Sequence, residues 1–328
     1  MRRRALRRLL AAMPLYWWSM RPAAAQDGRV FRVAWVSMER PGSRSPVFAA
    51  FLDGMAALGY VEGRNLVVDA WWGEGSVARL QELRPEILRS RPDVIVAQGG
   101  VALGPMLDAS VAPPVVYSMS GDPVIAGIAG SYGRPGGKAT GITLFASELA
   151  GKRMALLQQV LPRLKRIGVI ANPGHPGAQR ELQAARDAAS RLGLELFFLP
   201  AGSAAALEAA LAKAAAVPVD GLLVFADGFA LEQAERLAEF SVQHRIPVIA
   251  GWGTFARRGN LLAYGPEFGD VYRRLASYAD RIRKGAKPGD LPIEQPTRFE
   301  LVVNQKTARA IGITIPPSLL LQADEVIR

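Results

Sequence analysis

The sequence predicts an α/β protein of two successive units, each a doubly wound parallel sheet with helices on both faces. Three observations predict it. Short β-branched runs alternate with longer helical stretches, the pattern of parallel strands joined by covering helices. The pattern runs once to about residue 144 and then restarts. The roughly 300 residues that follow an N-terminal leader exceed what one core ordinarily serves. Apolar residues make up 50% of the chain, enough to pack two cores.

The leader comes first. Residues 1–25 hold Arg2, Arg3, Arg4, Arg7, Arg8 and Arg21 and no acid, then an apolar run over 9–20 broken by Pro14, then Ala23, Ala24 and Ala25. A basic start, an apolar centre and small residues before a cut make a secretory signal, cleaved after about Ala25. The apolar run is shorter than the ~20 residues of a permanent span. The expected location is therefore a periplasm. The chain has no cysteine, so a lipid-bearing cysteine, disulfides and thiolate metal sites are not expected. The formal charge is +11. Without the six arginines of the leader, 34 basic residues face 29 acidic ones, or +5, spread along the chain. Nucleic-acid binding needs a clustered basic face and is not expected.

In the first unit, strands are expected over 30–37, 65–72, 93–99, 114–120 and 139–144, from runs such as VFRVAWVS and DVIVAQG. Helices are expected over 46–60, ended by Gly59, and over 77–90, ended before Pro92. The second unit opens with a helix over 148–161. Strands over 166–172, 194–200, 220–227 and 246–251 then alternate with helices over 179–193, 204–216 and 230–245. After Gly251 the pattern changes. Residues 260–270 read as a strand leading into a helix over 269–285, residues 292–304 as extended, and 305–312 as a short helix. Trp71 and Trp72 read as core, one ring packed into the sheet and the other against a helix.

In open α/β sheets, ligands bind beyond the carboxyl ends of the strands, and two facing sheets make that crevice deep. Position alone therefore selects Ser37 and Glu39 after the first strand and Gln98, Gly99 and Gly100 after the third. It selects Ser118, Gly121 and Asp122 after the fourth. The second unit contributes Asn172, Asp227, Gly228 and Trp252, with Tyr264 beside a later segment. Gly99 and Gly100 offer backbone N–H groups at a helix start to a carboxylate, or serve only a tight turn. Asp122, before Pro123, suits an N-cap. Asp227 either holds a ligand ammonium or caps the helix over 230–245. Trp252 and Tyr264 either wall the cleft against a planar group or pack a hinge. Glu39 is equally a solvated loop charge. No metal ligand set, zinc motif, nucleophile elbow or P-loop lysine is present, so no enzyme activity, catalytic residue or cofactor is expected.

Several segments resemble, in order, those of one family. They are ALGYVEGRNLVVDAWW (57–72), SMSGDPVIAGIAGSYGRPGGKATGIT (118–143), GKRMALLQQVLPRLKRIGVIANP (151–173) and the stretch from residue 256 through the tail GAKPGDLPIEQPTRFELVVNQKTARAIGITIPPSLLLQADEVIR. The chain resembles the ABC transporter substrate-binding proteins related to tryptophan-binding proteins, which have the type I periplasmic binding protein fold. One departure is Lys138, where the family usually carries Asn. The resemblance implies two Rossmann-like lobes joined by three crossing strands, near 143–147, 251–253 and 288–299. The lobes would then be 29–143 plus 252–287, and 144–251 plus 288–328. It further implies capture of a small organic ligand, an aromatic amino acid or related small acid, by hinge closure. A monomer would deliver it to an ABC permease and its ATPase, its only link to the membrane. A binding module for a sensor kinase or chemoreceptor is the alternative reading, and a periplasmic enzyme a more distant one.

Overall fold

A computed structural model describes residues 29–42, 45–107, 113–144, 146–175 and 178–328. The signal expected over 1–25 lies outside them. No helix of the described residues is long and apolar enough to cross a membrane.

The first half lays down β1 (Phe31–Ser37), α1 (Pro46–Ala57), β2 (Leu66–Trp72), α2 (Val77–Arg89), β3 (Val94–Gln98), α3 (Gly100–Leu107), β4 (Val115–Met119) and β5 (Ala139–Thr143). The strands form an all-parallel sheet in the order β2-β1-β3-β4-β5. Because side chains alternate along a strand, β1 serves two cores. Val33 and Trp35 pack on one face with Phe51 and Met55 of α1, while Ala34 and Val36 pack on the other with Leu80 of α2 and Leu103 of α3. The rings of Trp71 and Trp72 divide the same way.

The second half follows with α4 (Ala146–Val160), β6 (Arg166–Ala171), α5 (Ala178–Arg191), β7 (Glu195–Pro200), α6 (Ala204–Ala216), β8 (Gly221–Val224), α7 (Gly228–Glu232), α8 (Ala234–His244), β9 (Val248–Ala250), α9 (Gly253–Arg257) and β10 (Leu262–Pro266). Then come α10 (Phe268–Arg283), a 3-10 turn at Pro288–Asp290, β11 (Phe299–Asn304), α11 (Gln305–Ile311), α12 (Pro317–Gln322) and β12 (Glu325–Ile327). The second sheet runs β12-β11-β10-β9-β8-β6-β7, parallel except where β11 lies against β10. Leu223 and Phe225 face α4 and α5, whereas Leu222 and Val224 face α6 and α8.

The expected crossing near 251–253 is corrected. β9 and β10 are parallel neighbours in the second sheet, so residues 252–266 stay with the second lobe. The chain passes at Glu267 into α10, which packs against α1 and the first sheet. A Cβ at Gly54 of α1 would lie 2.8 Å from the Cβ of Ala276, so the two helix backbones nearly touch there. Glu294 still bridges Ile142, and the Thr140 hydroxyl donates to the Leu291 carbonyl at 2.7 Å. The last passage therefore falls after Glu294, inside the expected 288–299, and the lobe boundary expected at 288 moves with it, so residues up to 294 stay with the first lobe.

Candidate functional site

The strand ends of the two sheets face each other across a cleft of about 1060 Å³. Ser37, Glu39, Gln98, Gly99, Gly100 and Ser118 line it from the first lobe, and Asn172, Asp227, Gly228 and Trp252 from the second. Gly121, Asp122 and Tyr264 are not brought there. The Asp122 carboxylate turns back to accept the N–H groups of Val124 at 2.9 Å and Ile125 at 3.2 Å. The Gly121 carbonyl accepts the Thr143 hydroxyl at 2.9 Å. Tyr264 sits in the middle of β10, its ring stacked on Phe299 at 6.2 Å. The cleft-facing end of that strand comes two residues later. Lys138 precedes β5 at the end away from the cleft and is exposed.

On the first lobe, each group is set by its neighbour. Gly99, at φ +86°, turns the chain from β3 into α3 in one residue, a conformation that only glycine takes freely. The Glu39 carboxylate accepts the Ser45 hydroxyl at 3.0 Å and the Gln98 amide at 2.9 Å. Ser37 Oγ accepts the Glu39 N–H at 3.0 Å. The hydroxyls of Ser118 and Tyr272 lie 2.6 Å apart. Burial pushes the Tyr272 phenol far above its ordinary value; the Ser118 hydrogen bond opposes that shift and the charge of Glu39 adds to it.

On the second lobe, Asp227 is buried and in extended backbone, and its Oδ1 accepts the Ala230 N–H at 2.6 Å. It thus caps the short α7. The single helix expected over 230–245 is divided at Gln233. Trp252 sets its ring 4.5 Å from Phe268, Phe268 stands edge-on to Tyr272 at 5.9 Å, and Tyr272 lies 5.7 Å from Trp35. An aromatic wall therefore runs from one lobe to the other. The lobes also meet where the Ser120 hydroxyl donates to the Ala226 carbonyl at 3.3 Å.

The arginines that line the cleft from α9 and α10 are already paired. Arg257 bonds Glu300 at 2.6 Å and Glu325 at 2.7 Å, and Arg273 bonds Glu267 at 3.1 Å. Arg258 bonds the Leu231 carbonyl at 2.9 Å and approaches Glu235 at 3.5 Å. Across the mouth, burial raises the pKa of Glu232, Arg40 opposing and Glu39 adding. Behind the strand ends, Arg153 and Glu181 are both buried, 3.9 Å apart. The Arg153 Nε donates to the Tyr264 carbonyl at 2.8 Å. Burial holds the Arg153 guanidinium down at about 10 and lifts the Glu181 carboxyl to about 7.

Position at strand ends could not select Phe229, Phe268, Tyr272, Arg257, Arg258, Arg273 or Glu300, which also line the cleft. A usable signal was Phe268 and Tyr272, one helical turn apart at the start of the helix that follows the passage. Among the described residues, no group of three His, Asp or Glu side chains could hold a metal ion.

Residues 35–327 match the family described as "ABC transporter substrate binding protein". The chain is 22% identical over 263 residues to the tyrosine-binding protein of Clostridioides difficile (strain R20291), covering 80% of this chain and 75% of that one. A conserved domain protein from Vibrio cholerae superposes with a TM-score of 0.85 at 25% identity, over 91% of this chain and all of that one. An ABC domain from Streptococcus pneumoniae in complex with L-Trp superposes at 0.84 and 21% identity, with the same coverage.

Proposed function

The chain belongs to the ABC transporter substrate-binding protein family, with the two-lobed fold of type I periplasmic binding proteins, and from that premise we propose that it captures an aromatic amino acid for an importer. Such proteins bind small molecules, work outside the cytoplasmic membrane and partner a membrane permease. In this reading the protein is exported with residues 1–25 removed, acts as a monomer, and hands its ligand to a permease driven by an ATPase. Asp227 is the observation that carries the ligand class. It is a buried carboxylate lining the cleft, with one oxygen committed to a cap and no ion pair among the described residues. A buried charge without a partner is costly, and a ligand ammonium supplies one. The wall of Trp252, Phe268 and Tyr272 suits a planar side chain beside it. The relatives' ligands, tyrosine and L-Trp, agree with both features.

The test is a thermal-shift and calorimetry panel on residues 26–328 with aromatic and aliphatic amino acids, dicarboxylates, sugars and nucleosides. At 100 times its dissociation constant a true ligand stabilises by about 2.7 kcal/mol. Hits confined to aromatic amino acids support the reading. Hits confined to sugars or nucleosides overturn it.

A further inference from the structure

The first lobe's cleft floor holds more hydroxyl protons than the described residues accept. Ser118 and Tyr272 are 1% and 2% exposed, and they share a single hydrogen bond. That bond uses one of their two hydroxyl hydrogens. The other has no acceptor among the described residues. Ser37 repeats the pattern. It is fully buried, its oxygen accepts from Glu39, and its own hydrogen has no acceptor among the described residues. Both sites line the cleft. A buried donor left without an acceptor is costly, so such groups ordinarily have a partner.

What faces them narrows the partner. Ser120, two residues beyond Ser118, donates to the carbonyl of Ala226, next to Asp227. On the other flank, a Cβ at Gly228 would lie 3.8 Å from Met38, the residue after Ser37. Asp227 is thus held between the two hydroxyl sites, on the opposite lobe. The Glu39 carboxylate takes hydrogen bonds from Ser45 and Gln98 and not from these hydroxyls.

We propose that Ser37 and the Ser118–Tyr272 pair receive the ligand's α-carboxylate, so that an amino-acid head group spans the cleft with its carboxylate on the five-stranded lobe and its ammonium on Asp227. This rests on the amino-acid reading above and divides the head group between the lobes. A carboxylate has two oxygens for the two unused hydrogens. The aromatic side chain then lies along Trp252 and Phe268. An amine without the carboxylate reaches Asp227 and leaves the first lobe unengaged.

The experiment is calorimetric titration of L-tyrosine and of tyramine, its decarboxylated analogue, into wild type, Ser37→Ala, Tyr272→Phe and the triple variant with Ser118→Ala. Wild type is expected to prefer L-tyrosine. The triple variant should lose L-tyrosine affinity roughly ten- to hundred-fold, the worth of hydrogen bonds to a charged group, while tyramine affinity changes little. Tyramine thereby reports that the rest of the site is intact. If the triple variant does not fold, the two single variants carry the same comparison, since Tyr272→Phe keeps the ring. Equal losses for both ligands, or unchanged L-tyrosine affinity, overturn the proposal, as does a wild type that binds the two alike. A wild type that binds neither L-tyrosine nor L-tryptophan overturns the amino-acid reading itself.

Discussion

The proposed reading gives Asp227 two roles that a substitution can separate. Its Oδ1 caps α7, and its charge faces the cleft. Asn also accepts at an N-cap, so Asp227→Asn should keep the cap and, by removing a buried charge, should hold or raise the melting temperature of the free protein. Loss of the ammonium's partner should weaken binding by at least about 2 kcal/mol, read by calorimetry. Unchanged affinity would leave Asp227 as a cap alone. At this scale the strand-end rule found the polar groups of the cleft because β1, β3, β4, β6 and β8 stop where their hydrophobic runs stop. It misplaced Tyr264 because Gly265 and Pro266 look like a turn yet continue β10. It missed Tyr272 because a helix turn that faces a cleft carries the same apolar spacing as one that faces a core.

Among elements, the contact between α4 and α5 holds the most costly group. Arg153 and Glu181 face each other with Glu148 and Asp227 adding negative charge nearby and Tyr264 beyond. Burial, offset in part by Arg153, raises Glu181 from 4.5 to about 7. The folded protein therefore keeps the Glu181 proton at pH values where the unfolded chain has lost it. That contribution to stability is present below about pH 4.5 and is lost as pH rises through about 7. The melting temperature of wild type should fall relative to Glu181→Gln between those limits, and a constant difference across the window would show that Glu181 does not titrate there. The pair was invisible in sequence, since nothing in the two helices marks Arg153 or Glu181 as the member turned inward. Element type was more legible. Every strand and long helix of the two repeats was readable from period. The five residues of α9 and the three of β12 are too short to show one, and the missing α9 is why β10 was assigned to the wrong lobe.

For the whole molecule, the three passages between lobes run side by side. The Glu267 N–H donates to the Arg298 carbonyl at 3.1 Å, and the Thr143 N–H to the Glu294 carbonyl at 3.0 Å. Such a bundle permits rotation of one lobe on the other. A ligand that engages both lobes favours the closed arrangement by its differential affinity alone. Small-angle scattering should show a smaller radius of gyration for the protein with saturating ligand than without it, and identical curves would remove closure from the mechanism. Two lobes were legible from the restart of the pattern near residue 148. That residues 252–266 stay with the second sheet was not, because strand order is decided by pairing across the sheet and leaves no local mark.

That course has a consequence for how the protein is made. The face of the first sheet that carries Trp35 is covered by α1 together with α10, whose buried side includes Tyr272, Leu275, Tyr278 and Ile282. The helix begins at Phe268, more than a hundred residues after β5 ends. A chain that emerges N-terminus first therefore delivers the first sheet long before its cover. The lobe begun first is finished last, with an apolar face bare in the interval, the kind of surface that invites aggregation. It also means that the first lobe cannot be produced alone by stopping the chain after residue 143.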